Sequence, residues 1–418
     1  MVETHLKIAG IDPLLFRDGR PFSREDGALT ARTLPVPLPG TLAGFLRTFH
    51  GNQKGWEWNS ASAANALQIP VHAPLMLRKG TPVFPSPADA LLYEDGIAAK
   101  ADERVPVRLM KLRPWLDLDK GAGCNLPHGA LAPLEVTEDA KPASGNQFWS
   151  KELMERWLLD TPSNGNTIRR TDFHEGLPME ERVHVAIDRT SGRGEDGKLF
   201  TTHRLGFEDH SARVRERSRG ATEAAESVCW SLAAKVGADL LPGIGTLGGE
   251  RGLATVEITD SRWFACPSSV KTKLRVLQPG SDLQIRMILA TPGIFEGGWR
   301  PGWLHENGGN LEGAPPGVED LRLRLVSVAA GRREPVSGWD FLTCKPKTVR
   351  WMVPAGAVYF FEVIEGDFAQ LGESACWLAP VSDAEQDRND GYGLAMWGFW
   401  TRNDSEKMRT EGEGANNR

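Results

Sequence analysis

One glycine-rich stretch, GIGTLGGERGLATVE at residues 243 to 257, constrains the fold most strongly. Its first three glycines have the G-x-G-x-x-G spacing, which binds a dinucleotide only where a helix opens at the third glycine. Two further glycines, Gly249 and Gly252, disfavour a helix, and residues 253 to 259 are β-branched and roughly alternating. The stretch therefore leads into a strand, and a Rossmann-type redox site is not predicted.

Size and charge limit the classes of function that remain. The chain has 418 residues, of which 40% are hydrophobic, enough for two domains with a core each. Its formal net charge of −6 excludes a uniformly basic coat for nucleic acid. Any nucleic-acid site is therefore expected to be a local groove on an acidic surface.

Three features favour the cytoplasm as the compartment. The five cysteines include no C-x-x-C pair, which is typical of free thiols under reducing conditions. The opening residues, MVETHLKIAGIDPLL, lack the pattern of a signal peptide. No apolar run approaches the length of a membrane span.

The first half of the chain begins with a strand, a helix and a hairpin, the opening of a βαββαβ unit. In LPVPLPGTLAGFLRTFHG the prolines favour an extended entry, and apolar residues from Leu42 to Phe49 then recur at helical spacing. A hairpin is predicted around Lys79-Gly80. Residues 96 to 180 are irregular apart from a helix in FWSKELMERWLLD, and we interpret them as an insertion.

The remaining sequence predicts a protruding hairpin and a second β-rich region. Residues 182 to 203 form two alternating arms joined by a glycine-rich, charged tip. The sequence therefore predicts an α+β chain with an N-terminal domain at 1–218 and a C-terminal domain at 219–403. The polar residues 404–418 are expected to be a disordered tail.

No catalytic or metal-binding constellation stands out, and neither a metal nor a cofactor is predicted. The chain lacks a P-loop, H-E-x-x-H and G-x-S-x-G, and its nine histidines do not cluster. His184 and His203 lie on opposite arms of the predicted hairpin and could face each other as an acid–base pair for metal-independent RNA cleavage. The alternative is that both are ordinary polar residues or RNA contacts.

Basic residues beside turns and glycines suggest RNA contacts in separate loops. Exposed glycine backbone can approach phosphates closely because no Cβ intervenes. The alternative for each cluster is an ordinary solvated surface. The residues concerned are Arg17 and Arg20 around a turn, Arg47 in the first helix, Arg189, Arg193 and Lys198 at the hairpin tip, and Gly248, Gly249 and Arg251 in the glycine-rich loop.

Several motifs together resemble the RAMP superfamily of CRISPR proteins. They include IDPLLFRDGRPF, PLPGTLAGFLRT, PVFPSPADALL, TLGGERGLATVE, ILATPGIFEGGWRPGW and GYGLAMWGFW, spread over nearly the whole chain. Their order and spacing are similar to those of the family of the third Cmr subunit, from type III-B effector complexes. The segment 96–180 and the tail match poorly.

The resemblance implies two ferredoxin-like (RRM-like, βαββαβ) domains with irregular and helical insertions. It implies a non-catalytic subunit that grips the 5′ tag of the CRISPR RNA beside the large polymerase-like subunit and the backbone RAMP subunits. The hairpin from Arg182 to His203 would be thumb-like. The residues expected to bind RNA are Arg17, Arg20, Arg47, Arg182, Arg189, Lys198, Gly248, Gly249 and Arg251.

Two other functions remain open. Some RAMP proteins cut precursor CRISPR RNA with a histidine and no metal, so an endoribonuclease is the first alternative. A protein-interaction scaffold without RNA binding is the second.

Overall fold

The computed structural model describes most of the chain. The described residues are 2–18, 30–93, 108–116, 131–136, 143, 147–161, 168–209, 228–318, 320–340, 343 and 345–402. Arg20, the predicted tail at 404–418 and much of the predicted insertion lie outside them. Within the described ranges, no helix is long and apolar enough to cross a membrane.

A long sheet organises the first half of the molecule. The main elements up to residue 258 are β1 (Thr4–Gly10), α1 (Pro39–Gln53), α2 (Ser60–Leu67), β2 (Val71–Arg78), β3 (Thr81–Pro85), β4 (Ala90–Tyr93), β5 (Arg108–Lys111), β6 (Phe148–Ser150), α3 (Lys151–Leu158), β7 (Met179–Ile187), β8 (Gly194–Leu205), β9 (Val228–Val236), β10 (Gly243–Thr246) and β11 (Leu253–Ile258). The order of strands in the sheet is Phe173–His174, β6, β3, β2, β9, β1, β11, β10, and Glu208–Asp209 also pairs with β9.

Helix α1 covers one face of this sheet. It begins at Pro39, because proline suits the first helical turn. Leu42 and Leu46 are fully buried against Leu6 and Ile8 of β1. The helical spacing of apolar residues therefore predicted both the helix and its buried face.

Strands β7 and β8 form an antiparallel hairpin beside the sheet. The two-residue strand Thr30–Ala31 adds to β8 in parallel, and an isolated bridge joins Leu14 to Leu205 at the hairpin base. The hairpin is thus held at its base, and its tip at 188–193 is a turn.

A second sheet organises the remainder. The main elements from 268 onwards are α4 (Ser268–Arg275), β12 (Leu283–Leu289), β13 (His305–Asn307), β14 (Asn310–Gly313), β15 (Leu321–Ala329), β16 (Glu334–Val336), β17 (Arg350–Met352), β18 (Val358–Gly366), α5 (Glu385–Asn389) and β19 (Leu394–Thr401). The order of strands in this sheet is β13, β14, β15, β18, β12, β19, Ala379–Pro380. Strands β16 and β17 pair with each other in a separate, smaller hairpin.

The same four-strand arrangement occurs in both sheets. In the first sheet the contiguous strands are β2, β9, β1 and β11, and in the second they are β15, β18, β12 and β19. Every neighbouring pair is antiparallel. If the four strands of each set are numbered by their position in the sequence, their spatial order across the sheet is second, third, first, fourth. The protein is therefore a strand-rich α+β fold with few helices and a repeated strand order.

The sheets correct the predicted division at residue 218. Strand β9 pairs with β1 and β2, β11 pairs with β1, and β10 pairs with β11, so residues 228 to 258 contribute to the first sheet. Central strand β1 pairs on one edge with β9 and on the other with β11, so both of its partners come from distant sequence. The glycine-rich loop at 243–252 consequently belongs to the first sheet.

Candidate nucleic-acid interface

A groove of about 630 Å³ runs between α1 and the edge strand β10. Two glycines let β10 lie directly on the phenylalanines of the helix. A Cβ on Gly245 would be 2.7 Å from the ring of Phe45, and one on Gly243 would be 3.1 Å from the ring of Phe49. The first part of the glycine-rich stretch therefore serves close packing of a strand against a helix, and this packing forms the groove floor.

The free edge of β10 presents backbone donors to this groove. The N–H of Leu247 faces β11, because it donates to the carbonyl of Gly252, the residue before that strand, at 2.7 Å. Hydrogen bonding alternates along an antiparallel strand, so the N–H groups of Ile244 and Thr246 point away from β11. Gly248 lies in the turn after the strand, and its N–H has no acceptor among the described residues. Three of the residues that line the groove therefore have backbone donors without a protein acceptor.

The opposite wall is an uncharged face of α1. Thr41, Gly44, Thr48 and Asn52 are spaced by three or four residues and face the groove. A Cβ on Gly44 would meet nothing within 4 Å, so the groove is open at this point. The wall offers hydroxyl and amide groups, and the groove lining contains no Asp, Glu, His, Lys or Arg among the described residues.

The double glycine at 248–249 does not cradle phosphate as predicted. The N–H of Gly249 donates to the carbonyl of Leu15 at 2.7 Å, so it is unavailable to a ligand. Gly248 has a φ of +79°, and a Cβ there would be 2.6 Å from the same carbonyl oxygen. The pair mainly lets the N-terminal segment cross the loop closely, and only the Gly248 N–H remains available.

Arg17 and Arg251 lie on either side of this crossing. Because Leu15 bridges Gly249 in antiparallel fashion, the segment carrying Arg17 runs towards Leu247, which lines the groove. Both arginines are exposed, and Arg251 has a positive φ of 53° at the loop tip. Neither arginine lines the groove, but both lie in segments that adjoin its Leu247 and Gly248 end.

Arg47 is not a surface residue, contrary to its prediction as an RNA contact. Its side chain is buried, with Nη1 2.5 Å from Oδ1 of Asp390. It also donates to the carbonyls of Ile69 and Asn389. Arg47 therefore joins α1 to the segment after α5 and cannot reach RNA without breaking a buried ion pair.

The other basic residues predicted to bind RNA, Arg182, Arg189 and Lys198, lie on the hairpin of β7 and β8 and do not line the groove. Arg182 pairs with Glu180 at 2.5 Å, and Lys198 pairs with Glu195. Arg189 is exposed at the turn. Neighbouring carboxylates thus reduce the positive charge that Arg182 and Lys198 offer to a ligand.

One face of the hairpin is apolar and exposed. Alternation places the odd-numbered residues of both arms on this face. Four of its side chains are each more than half exposed, at 51% to 63%. They are Val183, Val185, Ile187 and Leu199.

The two hairpin histidines do not face each other. Register places His203 opposite Glu181 and His184 opposite Phe200, three residues apart along the arms and on opposite faces. The His184 ring stacks on Phe200 at 4.9 Å between centroids and lies 2.9 Å from the Thr202 hydroxyl. The geometry contradicts an acid–base pair built from them.

Perturbed histidines occur elsewhere in the first sheet. Burial, together with Lys235, lowers the pKa of His72 to about 4. Burial and Arg78 likewise lower the pKa of His174 to about 4. Neither lines the groove. Within the described residues, no three His, Cys, Asp or Glu side chains are grouped so as to hold a metal ion.

Sequence reasoning missed the helix wall and the strand edge. A signal was present, because Thr41, Gly44, Thr48 and Asn52 form an uncharged face opposite the apolar face of α1. The free edge of β10 could not be recognised before its position at the end of the sheet was known. The sequence predicts the arginines and the glycine pair instead.

Comparison with known proteins places these features in a known class, the CRISPR-associated proteins. The family description "CRISPR-associated protein (Cas_Cmr3)" matches residues 6–400. The chain therefore belongs to this family. No match was found among curated proteins.

Three solved structures resemble the chain at low sequence identity. Two are cryo-EM structures of the type III-B Cmr-beta bound to cognate target RNA, one of them also with AMPPnP. Each has 14% identity, a TM-score of 0.42, and coverage of 85% of this chain and 86% of the other. The third is a crystal structure of the Csm3-Csm4 subcomplex of a type III-A complex, with 12% identity, a TM-score of 0.33, and coverage of 87% and 94%.

Proposed function

We propose that this chain is a non-catalytic RNA-binding subunit of a cytoplasmic type III-B effector. It grips the 5′ tag of the CRISPR RNA and links the large polymerase-like subunit to the backbone RAMP subunits. The observation that carries the RNA proposal is the groove between α1 and β10, with its row of free backbone donors.

Two ferredoxin-like domains form part of the proposal. The repeated order second, third, first, fourth with antiparallel neighbours is the strand order of a βαββαβ unit. In the first sheet α1 supplies the first crossover helix. In the second sheet, residues 290–318 instead contain the hairpin of β13 and β14. The two units therefore share a sheet plan and differ in their connections.

The groove suits the sugar–phosphate backbone of a single RNA strand. Free N–H groups of Ile244, Thr246 and Gly248 can donate to phosphate oxygens, and Thr41 and Thr48 add hydroxyl groups that can bond to riboses. Arg17 and Arg251 add positive charge at one end. Such contacts fix the position of an RNA end without requiring a basic coat, consistent with the net charge of −6.

The groove chemistry favours binding over cleavage. General acid–base catalysis needs titratable groups beside the reacting atoms. The described groove lining has none, and the two histidines of the endoribonuclease alternative lie on opposite hairpin faces. The linking role is supported by the exposed apolar face of the hairpin, since such a face typically contacts another protein.

RNA binding is tested by titrating the chain with labelled RNA carrying a repeat-derived 5′ end. Arg251→Ala is expected to weaken binding by at most roughly 1.5–3 kcal/mol and to reduce the salt slope by about one unit. Arg275→Ala, which removes an exposed arginine from α4, is the matched control. Unchanged affinity and salt slope in folded Arg251→Ala would remove this loop from the RNA site. Absence of any salt-dependent binding would favour the scaffold alternative.

Cleavage is tested separately with labelled precursor repeat RNA in the presence of a chelator. No discrete product is expected. A product that disappears in His184→Ala or His203→Ala would establish the endoribonuclease alternative and overturn the non-catalytic role.

A further inference from the structure

The hairpin formed by β16 and β17 carries an exposed basic and aromatic surface that the proposed function does not use. From residue 332 to 351 the sequence has five basic and two acidic residues, in a chain whose net charge is −6. Trp339 and Trp351 are 61% and 45% exposed. Large aromatic side chains are costly to leave in water, so two on one hairpin suggest a ligand.

Both tryptophans of the hairpin are exposed. Register pairs Trp351 with Pro335, while Val336 and Met352, the next residues along the two arms, are buried. Trp339 lies further along the hairpin, in the short strand Trp339–Asp340 that pairs with Lys345–Pro346. Val336 and Met352 anchor the hairpin, and the two tryptophan rings are left as an exposed aromatic surface.

Positive charge accompanies the rings. The guanidinium of Arg333 lies 4.4 Å from the ring centroid of Trp351. Lys345 and Lys347 are exposed on the opposite arm, and the β-bridge of Asp340 with Lys345 lies next to that of Trp339. Aromatic rings interleaved with cations are the arrangement that stacks bases and neutralises phosphates of single-stranded nucleic acid.

The hairpin rises from the end of the RNA groove. Val336 and Met352 pack with Tyr392, and Leu38, the residue preceding α1, packs against the same cluster. Thr41, at this end of α1, lines the groove. Arg350 further fixes the hairpin through two hydrogen bonds of 2.7 Å to Asp387. The base of the hairpin therefore packs beside the N-terminal end of α1, close to the Thr41 end of the groove.

We propose that single-stranded RNA leaving the groove at its Thr41 end stacks its bases on Trp339 and Trp351. This inference rests on the proposed function, because the groove supplies the RNA strand. The hairpin extends the RNA site by a few nucleotides and reads no sequence, since stacking accepts every base.

The test compares two oligouridylates at low salt, one of about four nucleotides to fill the groove and one of about twelve to continue beyond it. The double variant Trp339→Ala/Trp351→Ala is expected to bind the longer RNA about tenfold more weakly and the shorter one almost unchanged. The matched variant Trp339→Phe/Trp351→Phe keeps two rings and is expected to retain most of the affinity. Lys345→Gln/Lys347→Gln is expected to lower the salt slope for the longer RNA by about two units.

The outcomes separate this inference from the proposed function. If the double alanine variant is folded and binds the longer RNA like the wild type, the aromatic surface is not an RNA site. Loss of assembly with other subunits at unchanged RNA affinity would assign the surface to a protein and also overturn the inference. If neither RNA binds the wild type, the groove and the aromatic surface both fail as RNA sites.

Discussion

Gly248 is where the N-terminal segment and the glycine-rich loop come closest. Its positive φ suits glycine, and any side chain would press on the carbonyl oxygen of Leu15. Gly249 differs, because its φ is not positive and a Cβ there would be 3.3 Å from the Leu15 side chain and 3.5 Å from the Leu15 carbonyl oxygen. Adjacent glycines thus have unequal structural roles.

Gly248→Ala is expected to lower the free energy of unfolding by about 1–3 kcal/mol through backbone strain and the forced contact. Gly249→Ala is the matched control, with an expected change below about 1 kcal/mol. Urea denaturation of both variants measures the difference. Equal stabilities would contradict a packing role specific to Gly248.

Arg47 owes its position to a buried ion pair rather than to RNA. Arg47→Met leaves Asp390 buried and unpaired, which is expected to cost about 3–5 kcal/mol of stability. Arg47→Met/Asp390→Leu removes both charges and is expected to recover much of this loss. Chemical denaturation of the single and double variants measures it. A fully stable single variant with weakened RNA binding would restore Arg47 as an RNA contact.

Acid is expected to destabilise the first sheet through two partly buried histidines, His72 and His174. Burial lowers the pKa of His72 and His174 in the folded chain to about 4, below the unfolded value of 6.5. The unfolded state therefore takes up protons first as pH falls below 6.5, and stability is lost between 6.5 and 4. The loss by pH 5 is roughly 1–2 kcal/mol per histidine.

Melting temperatures between pH 7.5 and pH 5 test this dependence. His72→Gln keeps a polar side chain that does not titrate, and it is expected to flatten the pH profile. A profile as steep as that of the wild type would show that His72 does not cause the loss.

At the scale of elements, the hairpin of β7 and β8 is expected to contribute to assembly with other subunits and little to the stability of the fold. Its base is bridged to the body through Leu14 and Leu205, while Val183, Val185 and Leu199 remain exposed. Removing these exposed side chains uncovers no core. The hairpin can therefore change without loss of the fold, while an interface that uses its apolar face would be lost.

Val183→Ser/Leu199→Ser is expected to leave the melting temperature nearly unchanged and to weaken assembly with the other subunits and guide RNA. Shortening residues 191 to 197 tests the tip in the same way. Co-purification and size exclusion measure assembly. Insoluble expression of the shortened chain would show that the tip supports folding.

Local sequence patterns predicted several helices and strands. They did not predict which strands pair, because the partners lie far apart in the sequence. The apolar spacing in α1 and α3 and the alternation in β7 predicted those elements, because each pattern is contained in one segment. The third strand of the first four-strand set lies at Val228–Val236 rather than in the hairpin at Thr81–Pro85. No local signal reveals that Val236 pairs with both Thr4 and Val71.

The candidate site was likewise predicted from the sequence only in part. Exposure of Arg17 and Arg251 follows from their turns, and the structure places both near the groove. The burial of Arg47 depends on Asp390, 343 residues away, so its helical position gave no warning. The free donors of β10 exist only because no strand follows it in the described sheet.

At the scale of the whole molecule, buried charges join the two sheets. Arg286 in β12 is completely buried, 2.5 Å from Asp89, and donates to the carbonyl of Trp157 at the end of α3. Asp160 accepts hydrogen bonds from Lys111, Arg113 and Thr401. Such pairs favour one arrangement of the sheets, because a displaced charge would remain buried without a partner. The groove and the aromatic hairpin therefore keep a fixed relation.

The most direct test of RNA in the groove fills it without disturbing the fold. Gly44→Gln adds a side chain to the open helix wall and replaces a poor helix former, so stability is expected to rise by about 0.5–1 kcal/mol. Ala64→Gln adds a similar group to the exposed surface of α2 and is the control.

The decisive measurement is the affinity of both variants for RNA with a repeat-derived 5′ end at fixed salt. The account predicts that Gly44→Gln binds at least about tenfold more weakly than the wild type, an effect of about 1.4 kcal/mol, while Ala64→Gln is unchanged. A folded Gly44→Gln protein with wild-type affinity would contradict RNA binding between α1 and β10.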